Sequence, residues 1–353
     1  MSNTTLCNCP SVNLNFPRHA NCTLIVAKEG ELHVAWMQKS FASFDIVHSQ
    51  KNENNWSVPI QVTNSARKSM FPSMAIDSSG MPHLVWMEGR EERFDIFYSR
   101  WNGSRWSKPS NISRTRGASQ RPKIVIDSSG IVHVLWYDNT DDFFSLWHIQ
   151  RSSGQWTDSA NTGLVKCHTT HDPDLTLAPG LAVDTDGALH VVWVDIDGVR
   201  QQLFHSQWNG TAWSKRDKLT TSSHRPTELS LAADTSNHLY LVWFDRDDVW
   251  FTKSSVDGWL EPMLVSQNSA LPDIHIDASE EVHLTWTKGG EILYGRIKGD
   301  ALSGPVSISR RNEKCAAPSI STDAAGKPHI VWMDAGTLHS GIHYRCRLAT
   351  DPR

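Results

Sequence analysis

Apolar and polar positions along the chain fall into a pattern that returns. The segment Ile76–Trp86, IDSSGMPHLVW, closes an apolar run with an Asp-Ser-Ser-Gly turn and starts a second apolar run, and Ile126–Trp136, IDSSGIVHVLW, repeats it fifty residues on. PSMAIDSSG predicts a short strand ending in an Asp-x-x-Gly turn. MPHLVW predicts a second strand, because its apolar, β-branched character stops at polar Glu88-Gly89. A third strand follows, written FDIFYSR in one copy and QLFHSQ in another. After an Asn-Gly hairpin comes a fourth, RWSKPSNIS or AWSKRDKLT, whose Trp recurs at Trp56, Trp106, Trp156, Trp213 and Trp259.

The second-strand Trp marks the period. It stands at Trp36, Trp86, Trp136, Trp193, Trp243, Trp286 and Trp332, with steps of 50, 50, 57, 50, 43 and 46. Three residues before it come His33, His83, His133, His190, Tyr240, His283 and His329. Nine before it come Asp77, Asp127, Asp184, Asp234, Asp277 and Asp323, with Ala27 in the first copy. Four strands in each of seven units predict an all-β fold, a seven-bladed β-propeller with four-stranded antiparallel blades. The whole chain, 1–353, is then one domain, with blades at about 20–64, 70–114, 120–166, 177–221, 227–267, 270–309 and 316–350. The seventh unit stops after its third strand. The N-terminal stretch 1–15 supplies the missing one: CNCPSVNLN aligns with WSVPIQVTN, placing Pro10 on Pro59 and Val12 on Gln61. Closing the ring this way removes an open sheet edge.

Repetition changes how the chemical residues are read. Of the 16 Trp, twelve occupy the two repeated columns and are assigned to core packing; Trp101, Trp147, Trp208 and Trp250 remain open to a ligand. The His column shares its place with Tyr, as does the third-strand column of His48, Tyr98, His148, His205, Tyr294 and Tyr344. A buried ring that must make a hydrogen bond explains both residues, and no metal ligand or general base is needed seven times. The repeated Asp is a turn residue bonding its own backbone. No metal and no cofactor is assigned. Cys7, Cys9, Cys22, Cys167, Cys315 and Cys346 show no CxxC spacing. Transferring the second blade's hairpin register sets Cys346 opposite Leu6, with Cys7 and Cys9 on the other face, so reduced thiols are expected.

The balance of 34 Lys and Arg against 38 Asp and Glu gives a formal charge of -4 and offers nothing to a phosphate backbone or an anionic membrane. Nucleic acid and membrane are excluded as partners. With neither a signal peptide nor an apolar span in the sequence, a cytoplasmic monomer is expected.

Candidate functional residues lie where blades meet the channel mouth. Two residues after each marker stand Gln38, Glu88, Asp138, Asp195, Asp245, Lys288 and Asp334, five of seven acidic. They either cap their own loops or form a ring of carboxylates suited to a cation or to sugar hydroxyls. The linkers facing them carry Arg18, His19, Arg67, Lys68, Arg121, His224, Arg225, Arg310 and Arg311. One linker is longer: 23 residues separate Trp156 from Pro179, against 16 from Trp56 to Pro72 and from Trp106 to Pro122. Its KCHTTHDPDLTL carries Cys167, His168, His171, Asp172 and Asp174. A zinc reading of that loop matches no recognised spacing, and an exposed polar loop is expected. The sector of Glu88, Arg121, Tyr137, Asp138, His171, Asp172, Asp195, Arg225 and Asp245 is therefore the expected ligand site.

The recurring D-x-x-G-x-x-H-[VIL]-x-W units, followed by I-x-[YH]-S and W-S-x-P, resemble the bacterial BNR-repeat and sialidase-like propellers. The resemblance implies the fold. It does not carry over the sialidase machinery of an Arg triad, a Tyr with a Glu partner and an acidic Asp. The Asp-box S-x-D-x-G-x-x-W is not kept, and four of the five Tyr lie in structural columns, leaving Tyr137 beside Asp138. Related seven-bladed polysaccharide lyases use His and Tyr with Arg, for which His171, Tyr137 and Arg225 are available. The expected function is a non-enzymatic, lectin-like propeller binding a glycan or a protein. The alternatives are a glycan-active hydrolase or lyase and a plain scaffold.

Overall fold

The computed structural model describes residues 4–5, 22–27, 30–39, 43–52, 55–91, 93–141, 143–165, 178–198, 200–220, 226–299, 301–309, 315–334 and 341–346. They form seven small antiparallel sheets and, among the described residues, no helix. Each sheet is one unit of the repeat. In the second, Lys68–Ile76, Pro82–Arg90, Arg93–Arg100 and Ser110–Asn111 follow one another outward, and the others keep that order. Each innermost strand touches the next around the ring, and the last, Cys315–Thr322, touches the first, Cys22–Val26. The protein is a seven-bladed β-propeller.

The chain's two ends meet in the seventh blade. Thr4–Thr5 pairs with Gly341–Arg345, Thr4 opposite Tyr344 and Thr5 opposite His343. Val12 aligns with Gln61, which lies opposite Val47 in the first blade, the counterpart of His343 in the seventh. Thr5 holds the place opposite His343 instead. Without the hairpin that fixes register in the other blades, a strand from the far end of the chain is free to slide along its partner. The Cys346–Leu6 pairing and residues 6–21 lie outside the described residues. Closure has a second witness in the ring contact of Tyr344 with Trp56 of the first blade, centroids 5.2 Å apart and nearly perpendicular.

Packing follows the columns. Trp86, Trp136, Trp193, Trp286 and Trp332 are fully buried between blades. Burying 150 to 250 Å² of indole at roughly 25 cal/mol per Å² stabilises by about 4 to 6 kcal/mol each, gross. The fourth-strand Trp does different work. Trp106 meets His48, Trp156 meets Tyr98, Trp213 meets His148 and Trp259 meets His205, each ring edge-on to the third strand of the preceding blade. Trp101 and Trp208 extend two of these contacts, so half of the Trp left open to a ligand are part of the staples. Among the described residues Cys22, Cys315 and Cys346 form no disulfide; Cys7, Cys9 and Cys167 lie outside them.

Five innermost strands enter through a β-bulge. Phe71, Arg121, Glu228, Leu271 and Ala317 sit there with φ between 50° and 55°. A left-handed residue that is not glycine is costly, and recurrence at one structural position marks it as a property of the fold. The bulge brings each strand into the wall of the central channel.

Candidate functional site

The Asp and His columns join. In the second blade, Asp77 accepts the amides of Ser79 and Met81 on Oδ1, the turn bond expected from sequence. Its Oδ2 lies 3.2 Å from His83 Nε2, and His83 Nδ1 lies 2.8 Å from the Tyr98 hydroxyl. Asp277–His283–Tyr294 and Asp323–His329–Tyr344 repeat the relay. In Asp184–His190–His205 a second imidazole replaces the phenol, at 3.0 and 3.1 Å. In the fifth blade the Tyr240 hydroxyl donates to Asp234 directly, 2.8 Å away. The first blade has Ala27 in the turn where the others have Asp, His33 still bonds His48, and the buried His33 Nε2 has no hydrogen-bond partner among the described residues. Such an Asp–His–Tyr line would be a general-base relay in an open cleft. Here the imidazoles of His83, His190, His283 and His329 are buried, and the line serves as the polar spine of a blade. Burial holds His33 and His83 neutral down to about 4, and His48, His148 and His205 down to about 3.

The acidic ring expected at the mouth is turned inward. Glu88 accepts the hydroxyls of Ser65 and Ser69 and the indole N–H of Trp86. Asp138 takes the hydroxyls of Thr115 and Ser119 at 2.6 Å, the Trp136 indole, and the amide and hydroxyl of Thr140. Asp195 pairs with Arg216 at 2.5 Å, and among the described residues the Trp193 indole N–H has no partner. Asp245 and Asp334 are likewise buried. Glu88 and Asp138 tie the incoming linker to the second strand, the capping arrangement weighed against the open ring, and Asp195 and Asp334 pair with Arg216 and His343 of their own blades. Tyr137, expected to stand free, is 3 % exposed and packed among Leu135, Leu146, Leu164 and Trp193. The cause lies in strand alternation: Tyr137 follows the marker Trp and so faces the adjoining blade. Burial, with the Asp195 carboxylate adding to it, pushes its phenol pKa up. The Arg121 guanidinium stacks 3.7 Å from the Phe71 ring centre. Cys167, His168, His171, Asp172 and Arg225 lie outside the described residues.

Asp277, Glu281 and His283 bring candidate ligand atoms within 4.8 Å of one another. Glu281, however, is bound by Arg296 at 3.1 Å, and Asp277 already holds the Ser279 and Glu281 amides, so the cluster is an ion-pair network.

The channel carries a feature the sequence reading passed over. One residue after the Pro column, the seven innermost strands place Thr23, Ser73, Lys123, Gly180, Ser230, Asp273 and Ser319. All but Gly180 line a central cavity of about 250 Å³, with Glu228 and Leu271 also in its wall. Side chains of this belt reach the amide of the next blade: Ser73 Oγ accepts Ile124 N at 3.3 Å, Asp273 Oδ2 accepts Ile320 N at 3.0 Å, and Ser319 Oγ accepts Leu24 N at 3.2 Å. Asp273 also accepts the Ser230 hydroxyl at 2.7 Å, and burial raises its carboxyl pKa. Cys22, in the Pro column of the first blade, donates to the Ala317 carbonyl, and burial pushes its thiol up to about 12. The signal was available in the sequence as a hydroxyl column interrupted by Lys123, Gly180 and Asp273.

No family model and no curated protein matches the chain. Its fold is similar to solved structures of low identity. An ulvan lyase of a polysaccharide lyase family, solved with a -[GlcA(1-4)Rha3S]- ligand, superposes with a TM-score of 0.64 at 11% identity, over 91% of this chain and 90% of that one. The α-L-arabinanase of Penicillium chrysogenum, complexed with arabinobiose, gives 0.58 at 12% identity, over 82% and 94%. A Hadza microbial sialidase gives 0.56 at 14% identity, over 91% and 74%. The chain is thus a propeller resembling the sialidase-like propellers at the level of fold.

Proposed function

We propose that the protein is a ligand-binding propeller that receives a glycan at its central channel. The observation that carries this reading is the division of labour among its polar residues. In the described blades the carboxylates, imidazoles and phenols suited to catalysis are buried in relays and caps, while the belt from Thr23 to Ser319 turns hydroxyls, one ammonium and one carboxylate into a cavity. A few polar groups converging on a preformed concavity are what a small polar ligand needs. Hydroxyl-rich solutes match a wall of Ser and Thr.

A second reading, a glycan-active enzyme, draws support from the structural neighbours, whose names are a lyase, an arabinanase and a sialidase. One experiment separates the two. The full chain is applied to a glycan array and incubated in parallel with sialosides, arabinans and uronate polysaccharides. Saturable binding without product supports the binding propeller; product formation above the buffer control supports the enzyme; neither outcome leaves the scaffold.

A further inference from the structure

We propose that the channel sector formed by the third, fourth and fifth blades is an oxyanion site, holding a carboxylate or sulfate group between the Lys123 ammonium and the inner-edge amides of Leu181 and Leu231. This deepens, and rests on, the reading of the channel as the ligand site.

The argument starts from register. Ile124, Leu24 and Ile320 lie opposite Val134, Val34 and Ile330 in their sheets, and each turns its amide N–H away from the ladder to an acceptor on the preceding blade. Leu181 opposite Val191, and Leu231 opposite Leu241, hold the same place in the fourth and fifth blades. Their amides therefore face the channel in the same way. The residues that should cap them are Lys123 and Gly180. Lys carries donors only, and glycine carries nothing. A β-carbon built on Gly180 would stand 3.7 Å from Leu231 N, which places the absent cap beside that amide.

Lys123 breaks the template in sign. Where Ser73 and Ser319 present a lone pair to the next blade, it presents a half-buried ammonium that makes no hydrogen bond or ion pair among the described residues. Inner-edge amides that lack the side-chain acceptor their counterparts have are unfavourable when buried, and the Lys123 ammonium in the same cavity wall adds a full charge to the same demand. An anionic oxygen answers all three donors. Asp273, on the sixth blade next to the fifth, already takes Ser230 and Ile320, and the Lys123 charge acts on its carboxyl; its oxygens can accept hydroxyls from the other end of a ligand. The cavity of about 250 Å³ has room for about eight waters at roughly 30 Å³ each, the scale of one sugar acid.

The test is isothermal titration of the full chain with sodium glucuronate, glucose and sodium sulfate at matched ionic strength, on the parent and on Lys123→Ser. The substitution restores the hydroxyl cap of the neighbouring blades, so melting should be unchanged or raised. Lys123→Met, which removes the charge and keeps the stem, is the second variant if the first does not fold. The expected result is binding of glucuronate, no binding of glucose, and affinity reduced about tenfold or more in the variant. Sulfate binding as tight as glucuronate identifies the oxyanion alone as the ligand; glucuronate binding without sulfate identifies an acidic sugar; both support the site when Lys123→Ser weakens them about tenfold or more. Absence of binding by both anions overturns the proposal, as does parent-like affinity in Lys123→Ser. A neutral array glycan that binds parent and variant equally leaves the channel reading standing and removes this one.

Discussion

Ala27→Asp should stabilise the protein, because the first blade alone lacks the carboxylate that organises the others. The backbone is already in place: Ala27 N bonds Glu31 O at 2.8 Å and Gly30 N bonds Ala27 O at 2.9 Å, as Asp77 N bonds Met81 O at 3.1 Å and Gly80 N bonds Asp77 O at 2.9 Å. By analogy with Asp77, the new carboxylate would accept two turn amides on one oxygen and His33 Nε2 on the other. Space is provided by Gly80 in the next turn, whose built β-carbon would lie 3.8 Å from that of Ala27. At the equivalent junction, a β-carbon on Gly326 would come within 2.7 Å of Asp277 Oδ2, which shows that glycine there makes room for the carboxylate. Each hydrogen bond is worth about 0.5 to 1.5 kcal/mol net, and satisfying an orphaned buried nitrogen adds a similar amount. Against this stands repulsion from Glu31, whose carboxylate lies 3.8 Å from His33 Nε2. A net gain of about 1 to 2 kcal/mol follows, or roughly 1 to 3 °C in a chain of this size. Thermal melting at pH 7.5 reads it directly. Ala27→Asp with Gly80→Ala should lose the gain, and Asp323→Ala should melt lower than the parent. A melting temperature for Ala27→Asp at or below the parent's would refute the claim that the Asp–His line is a structural spine.

Three further outcomes are expected. Trp86→Ala should destabilise by about 3 to 5 kcal/mol in urea unfolding, since the indole is completely buried between the first two blades; parent-like melting would show that the marker Trp does not hold the ring. Stability should fall as pH drops below 6.5: His33, His48, His83, His148 and His205 stay neutral in the fold to about 4 or about 3, while the unfolded chain takes up their protons near the ordinary imidazole value of 6.5. Unfolded protein then binds more protons, each ring removes up to about 1.4 kcal/mol per pH unit, and melting temperatures at pH 8, 7, 6 and 5 should be level at first and then decline; a level curve to pH 5 contradicts it. Deleting residues 1–5 removes the strand paired with Gly341–Arg345 and should lower the melting temperature by several degrees, whereas an unchanged value argues against closure by the N-terminus.

The fold was legible because the repeat is dense in residues with few conformational choices. Asp-x-x-Gly specifies a turn, the marker Trp a buried face, and the Asn-Gly pairs a hairpin. Register at the closure was not legible, because Thr4–Thr5 joins a sheet without a hairpin to fix it. The candidate site was harder for a different reason. Asp138 and Tyr137 have the side chains of a catalytic mouth, and whether they face solvent or a neighbouring blade depends on the packing of one sheet on the next. The belt containing Lys123 and Asp273 was hidden by its ordinary Ser and Thr members. Its signal is the break in the column, which gains meaning once the seven strands are seen to line one channel.

The measurement that bears most directly on the central claim, that the repeated polar columns are structural and the ligand enters the channel, is hydrogen exchange followed by mass spectrometry with and without the tightest glycan from the array. Binding in the channel predicts slower exchange in the innermost strands Ser119–Ile126, Gly180–Val183 and Thr227–Ala233, with the Asp turns and fourth strands unchanged. Protection confined to the fourth strands or to the Asp turns, with the innermost strands unaffected, would contradict it.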